Sequence, residues 1–240
     1  MTLIYGHRGA RGEAPENTLA SFQACLASGV KCCELDLHLS KDGQLMVIHD
    51  TKLKRTTGRS GLVGDFTAAQ LVQMDARHNT VPWPEPCPIP RLEQLFKECS
   101  FEHWQLEIKA TSSRRAQQTV QTIAQLCTRY ALQNKVIITS SSRKVLHAAK
   151  KFTPHLARGL VSDHVWFNPI KIALHYDCKM LILNKKLAQK KRIKQAQKAG
   201  LHVSIWTVNE PTLMRQLESY GADSLITDFP GLAIATLGSR

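Results

Sequence analysis

From Lys31 to Asp50 the chain reads as two strands joined by a tight turn. In Glu34-Leu35-Asp36-Leu37-His38-Leu39 polar and apolar residues alternate, so Glu34, Asp36 and His38 face one side of a strand. Ser40-Lys41-Asp42-Gly43 follows, with Asp-Gly as the turn signal, and Gln44-Leu45-Met46-Val47-Ile48-His49-Asp50 returns. Centring the turn between Asp42 and Gly43 places Asp36 opposite His49. The pair forms a hairpin that rises beyond its parent strand and need not add a strand to the main sheet.

Outward from that hairpin, apolar strand-like runs alternate with helical periods. The strands are expected at Leu3–Gly6, Lys31–Asp36, Trp104–Lys109, Lys135–Thr139, Ala157–Val161, Met180–Leu183, His202–Thr207 and Ser224–Thr227. Their Val, Ile and Leu content suits strands covered on both faces. Ala116, Val120, Ile123, Cys127 and Tyr130 mark a helical stripe; Leu19, Phe22 and Leu26 mark another, closed by Gly29. Eight strands alternating with helices predict a closed (β/α)8 barrel. An open doubly wound sheet is the alternative, and no glycine-rich dinucleotide fingerprint supports it.

The alternation breaks over residues 37–103, which are too long for one crossover. The segment contains Gly58, Gly61 and Gly64, then Val81 to Pro90 with a proline at every second position. Such a run suits an extended surface path with few backbone donors. It reads as an insertion after the second strand, within one domain spanning residues 1–240.

The chain's 240 residues fit a single barrel, and 43% hydrophobic residues provide a sizeable core. No apolar run is long enough to span a bilayer, and the chain enters its first strand without a secretory signal. Seven scattered cysteines without a Cys-x-x-Cys pair suit reduced thiols in the cytoplasm. A net charge of +13 favours anionic partners, whether phosphorylated metabolites, nucleic acid or an acidic membrane.

In such barrels, reactive groups gather where strands end. His7 and Arg8 follow the first strand, Glu107 and Lys109 close the third, and the hairpin brings Glu34, Asp36 and His49. Three carboxylates suit a hard divalent cation, Mg²⁺ or Ca²⁺. Two histidines suit general acid and base duties, and Arg8 with Lys109 suits a phosphate. Together they describe a phosphoester site.

His7-Arg8-Gly9, Ala14-Pro15-Glu16-Asn17-Thr18, Glu34-Leu35-Asp36, His49-Asp50, Arg55-Thr56-Thr57-Gly58, Glu107-Ile108-Lys109, Trp206-Thr207-Val208-Asn209 and Thr227-Asp228 occur in that order. The chain thereby resembles the glycerophosphodiester phosphodiesterase family, in the style of its short cytosolic bacterial members. The resemblance implies hydrolysis of deacylated phospholipids to glycerol 3-phosphate and an alcohol. It implies His7 and His49 as the acid/base pair, Glu34, Asp36 and Glu107 as metal ligands, and Arg8 and Lys109 on the phosphate. The nucleophile would be water or the substrate's own glycerol hydroxyl. Arg91 and Ser40 depart from the residues usual at their positions, Arg91 with consequences for local capping.

Plainer roles are expected elsewhere. Asn17 reads as the N-cap of the first helix, Asp50 as a group that orients a neighbour or caps a turn, and His38 as structural. Trp206 either binds substrate or fills the barrel. The basic run from Lys185 to Lys194 reads as the wet face of an outer helix. The expected partner is a small glycerophosphodiester, with no nucleic acid and no stable membrane insertion; homo-oligomer formation is left open. Two rival readings are a lysophospholipase D, using an apolar groove of Trp83, Phe66 and Trp166, and a non-catalytic basic barrel that binds nucleic acid or membrane.

Overall fold

The apolar runs become the staves of a barrel. The computed structural model describes residues 2–110, 112–163 and 168–238. Its strands are β1 (Leu3–His7), β2 (Cys32–Leu39), β3 (Leu45–Val47), β4 (His103–Ile108), β5 (Val136–Ser140), β6 (Ala157–Ser162), β7 (Met180–Asn184), β8 (His202–Trp206) and β9 (Ser224–Thr227). All but β3 run parallel in the order β1-β9-β8-β7-β6-β5-β4-β2, and β1 pairs with β2 to close the ring. Each of the eight expected strands is present. The fold is a TIM-type (β/α)8 barrel.

β3 pairs antiparallel with the upper end of β2. The register is one residue away from that expected: Leu37 faces Val47, His38 faces Met46 and Leu39 faces Leu45. The turn explains the shift. Ser40 N–H donates to the Gln44 carbonyl at 2.9 Å, leaving three residues in the loop, with Gly43 at φ +79°. Three-residue loops place a glycine in this left-handed region. The Ser40 hydroxyl fixes the turn further, accepting from Gln44 N–H at 2.9 Å. The outer edge of β3 is covered by the proline segment, where Val47 N–H donates to the Pro90 carbonyl.

Among the described residues, the α-helices that fill the outside and the insertion are α1 (Leu19–Ala27), α2 (Lys54–Thr57), α3 (Ala68–Leu71), α4 (Leu92–Glu98), α5 (Ser113–Arg129), α6 (Arg143–Phe152), α7 (Pro169–His175), α8 (Lys190–Lys198), α9 (Pro211–Ser219) and α10 (Pro230–Leu237). α5 buries Ala116, Val120, Ile123 and Cys127, the stripe its periodicity predicts. α1 buries Phe22 and Cys25, and Gly29 follows it at φ +87°, where a side chain would be strained. α8 buries only Ile193 and Ala196, so its lysines face water as expected. Arg91 precedes α4 without supplying a side-chain cap.

The main core lies between the strands and their helices, with Trp104 packed edge-on against Phe96 and Phe101. Each fully buried Leu or Ile there contributes about 1.5–3 kcal/mol. A second cluster lines the barrel interior through Tyr5, Ile137, Val161, Ile182 and Ile226. A third belongs to the insertion, around Met46, Leu53, Leu71 and Ile89. All seven cysteines are free and buried. No helix among the described residues is long and apolar enough to cross a membrane.

Candidate active site

At the end of β1 the backbone turns sharply: Arg8 has φ +52° and Gly9 φ +82°. A Cβ at position 9 would lie 2.6 Å from the Ser21 carbonyl oxygen, so the close approach of this turn to α1 needs glycine. The turn leaves His7 pointing into the barrel mouth. Its Nδ1 lies 2.5 Å from Asp228 Oδ1, and Asp228 is itself held by Asn209 Nδ2 at 2.8 Å. The pairing favours the tautomer with hydrogen on Nδ1, which leaves a lone pair on Nε2. Burial pushes the His7 imidazole below its ordinary pKa, against the opposing pull of Asp228.

β2 and β4 lie side by side, with Asp36 level with Glu107. Glu34, Asp36 and Glu107 each offer an oxygen, all within 4.8 Å of one another. Two cations sit among them. Lys109 Nζ lies 2.7 Å from Glu107 and 3.3 Å from Asp36. Arg8 Nε lies 3.0 Å from Asp36 Oδ2, an ion-pair contact without hydrogen-bond alignment.

Burial alone would raise Asp36, yet Arg8 and Lys109 hold it well below the carboxylate range. Glu34 goes the other way, pushed up by burial and then by the repulsion of Asp36 and Glu107. Glu107 is raised too, chiefly by burial, with Lys109 opposing. The resident cations therefore leave the cluster underneutralised at Glu34. Three converging carboxylates in that condition fit a hard divalent cation.

His49 follows β3. Its Nδ1 lies 2.6 Å from Asp50 Oδ1, and His38 Nε2 lies 3.0 Å from the His49 carbonyl. His38 is buried and its pKa is lowered mainly for that reason, so the neutral ring donates N–H to that carbonyl. Asp50 also accepts from Arg55 Nε at 2.6 Å. Arg55 in turn grips Glu16 with both terminal nitrogens, at 2.9 and 2.7 Å, and Glu16 accepts from Arg8 Nη1 at 2.8 Å. Burial opposes ionisation of Glu16, but Arg55 and Arg8 bring its pKa to about 2. Asp50 also falls to about 2, through Arg55 and His49 against burial. One charge network thus links the loop between β1 and α1 to the insertion that carries His49.

Asn17 is not the cap of α1. Thr18 accepts from Ser21 N–H and fills that role. Asn17 sits at φ +57°, and its Nδ2 donates to Asp36 Oδ2 at 3.0 Å. Its amide orients a carboxylate of the cluster instead.

A cavity of about 220 Å³ opens at this mouth, and its walls include His7, Arg8, Glu34, His49, Glu107, Lys109 and Trp206. Each of the eight residues singled out from the sequence is thus at the cavity or, for Asp36, in the carboxylate cluster beneath it. Trp206 lines the cavity and packs on the interior cluster. The polar wall also includes Gln105, Thr139, Ser141 and Asp163.

Asp228, read from the sequence only as part of the Thr227-Asp228 motif and given no role there, stands immediately after the last strand, which is the signal that could have placed it at the mouth. The apolar groove expected of Trp83, Phe66 and Trp166 is not formed by the described residues. Trp83 lines a groove against α1, and Phe66 packs on the insertion cluster. Trp166 lies outside the described residues.

Comparison with known proteins agrees with this architecture. A crystal structure from Silicibacter pomeroyi DSS-3 superimposes with a TM-score of 0.91 over 99% of this chain and 93% of its own, at 23% identity, which speaks for the fold alone. An Oleispira antarctica phosphodiesterase, solved in complex with the product sn-glycerol-3-phosphate, gives a TM-score of 0.88 at 26% identity, covering 99% of this chain and 97% of that one. A glycerophosphodiester phosphodiesterase from Bacillus altitudinis is 32% identical over 98% of this chain and 97% of its own length. The profile of the Glycerophosphoryl diester phosphodiesterase family matches residues 7–232, and the chain belongs to that family.

Proposed function

We propose that the reaction of this family, hydrolysis of a glycerophosphodiester to glycerol 3-phosphate and an alcohol, is divided in this chain between two histidines with different surroundings. His7 is the general base. It is buried, its pKa is depressed, and its Nδ1 is committed to Asp228, so Nε2 is free to accept a proton from the nucleophile. His49 is the general acid toward the leaving alcohol. It stands more open, with a side chain 33% exposed, and is oriented by Asp50. Arg8 and Lys109 bind the phosphate oxygens and stabilise the charge that grows on them.

Glu34, Asp36 and Glu107 would hold a divalent cation, Mg²⁺ or Ca²⁺. When bound, such an ion supplies Lewis-acid polarisation of the phosphoryl group. Asn17 keeps Asp36 turned toward that position, and Trp206 forms the apolar wall against which the glycerol carbons rest. The reading rests above all on the meeting of His7, His49 and the three carboxylates around one cavity.

We read residues 1–240 as one domain and residues 37–103 as an insertion in it, because Leu45, Val47, Leu92 and Leu95 share the barrel's main core. A cytoplasmic location is supported by the free, buried thiols.

The test is release of glycerol 3-phosphate from glycerophosphocholine after chelation and add-back of Mg²⁺ or Ca²⁺, with wild type and Glu34→Gln. We expect activity to return on add-back and the variant to need markedly more metal. An unchanged metal titration in Glu34→Gln would remove Glu34 from the ligand set.

A further inference from the structure

Seven exposed cations lie along one arc of the barrel's surface. In a parallel barrel each helix begins just beyond the C-terminal end of the preceding strand, on the same face as the active-site mouth. On α5 an exposed Arg114 lies in the first turn. α6 has Lys144 there, and α7 has Lys171. Lys185 and Lys186 follow β7 directly, and Lys190 and Lys191 open α8, all exposed.

None of these cations forms an ion pair with a described residue. None of the four helices has an acidic residue in its first turn. Helix dipoles already make that end positive, so the fold itself disfavours this placement. The first turns of α9, α10 and α1, further round the mouth, contain no Lys or Arg.

We propose that this crescent, from α5 to α8, is a docking surface for anionic lipid bilayers. Charge complementarity carries the assignment: several lysines and arginines on one face are what an acidic headgroup layer attracts, at a strength that grows with each residue. The crescent spans four successive helix starts, too broad for one small anion. It lies on the face where the mouth opens, so docking sets the cavity against the lipid surface.

Single-stranded nucleic acid fits less well, since binding it uses exposed aromatic platforms. No Phe, Tyr or Trp among the described residues is exposed. The contact is peripheral and electrostatic, in keeping with the absence of a spanning helix among those residues. It stands independently of the acid/base assignment above.

The experiment is co-sedimentation of the full chain with vesicles of phosphatidylcholine alone and of phosphatidylcholine containing 30% phosphatidylglycerol, at low and high salt. Two quadruple variants remove the same charge from opposite ends of the barrel. Lys185, Lys186, Lys190 and Lys191→Gln neutralises the crescent. Lys135, Lys151, Lys179 and Lys198→Gln neutralises exposed lysines at the other end.

Binding to the anionic vesicles is expected, with loss at high salt. The crescent variant should bind at least about a hundredfold more weakly, and the opposite variant should stay within a few-fold of wild type. Turnover of soluble glycerophosphocholine at high salt should remain unchanged in the crescent variant and reports that it is folded. No wild-type binding to the anionic vesicles, or equal loss in both variants, overturns the proposal. So does tighter binding of poly(U) than of vesicles through the same lysines.

Discussion

The two halves of the barrel mouth use charge in opposite ways. From β9 through β1 and β2 to the inserted hairpin, the ionic side chains around the cavity are partnered and largely buried: His7 with Asp228, Arg8 with Glu16 and Asp36, Arg55 with Glu16 and Asp50. Along the crescent, Arg114, Lys144, Lys171, Lys185, Lys186, Lys190 and Lys191 are exposed and form no ion pair with a described residue. Buried, multiply bonded charges fix geometry because breaking one pair strands the other. Exposed charges fix almost nothing locally and act through the field they project. Substitutions in the first half should therefore change chemistry or stability, and substitutions in the second should change only association.

The sharpest contrast is expected at the two histidines. His7→Ala and His49→Ala should each lower kcat by about 10²-fold or more without loss of fold. Near-normal turnover in either, with circular dichroism unchanged, would take that residue out of the mechanism.

Asp228→Asn comes next, at about 10²-fold, because an amide need not select the Nδ1–H tautomer of His7. The pH profile sharpens the point. A base works only when unprotonated, so kcat/KM should fall as pH drops through a His7 pKa below its ordinary 6.5. Asp228 raises that pKa against burial, so its removal should move the acid limb to lower pH. A limb that stays put or moves upward would break the assignment of His7 as base.

Stability should report Glu16. With a folded pKa near 2 against an ordinary 4.5, the ionised Glu16 contributes stability that is fully present above pH 4.5. That contribution fades as pH falls toward 2. Glu16→Gln should cost on the order of 3 kcal/mol at pH 7 and little at pH 2, measured by denaturant unfolding. An equal cost at both pH values would contradict the ion-pair account.

A smaller effect belongs to His38, which touches His49 only through the backbone. His38→Ala should lower kcat several-fold with KM little changed, and His38→Gln, which keeps a donor, should recover most of it. No recovery with Gln would mean that packing, not the hydrogen bond, matters there.

Much of this contrast was legible before any coordinates. Strands β1, β2 and β4 to β9 announced themselves because buried parallel strands need apolar runs, and the alternation through Glu34, Asp36 and His38 placed polar groups on one face. The hairpin register was not legible to the residue, since Ser40 closes a three-residue loop around Gly43 that the Asp-Gly signal alone does not specify. Asn17 misled because Asn is a good cap in general. Only the tertiary approach of β2 shows that Thr18 caps and Asn17 serves Asp36. Asp228 depends on barrel closure, which brings the end of β9 beside the end of β1 across most of the chain. The crescent was visible only as a run of lysines at 185–194; Arg114, Lys144 and Lys171 join it through the barrel topology.

The most direct measurement is the rate of glycerol 3-phosphate release from glycerophosphocholine by pure protein supplied with Mg²⁺ or Ca²⁺, compared with His7→Ala and His49→Ala under the same conditions. Metal-dependent release that falls by about 10²-fold or more in both variants is the predicted result. Release that persists undiminished without either imidazole, or none from a demonstrably folded wild type with either ion, would contradict it.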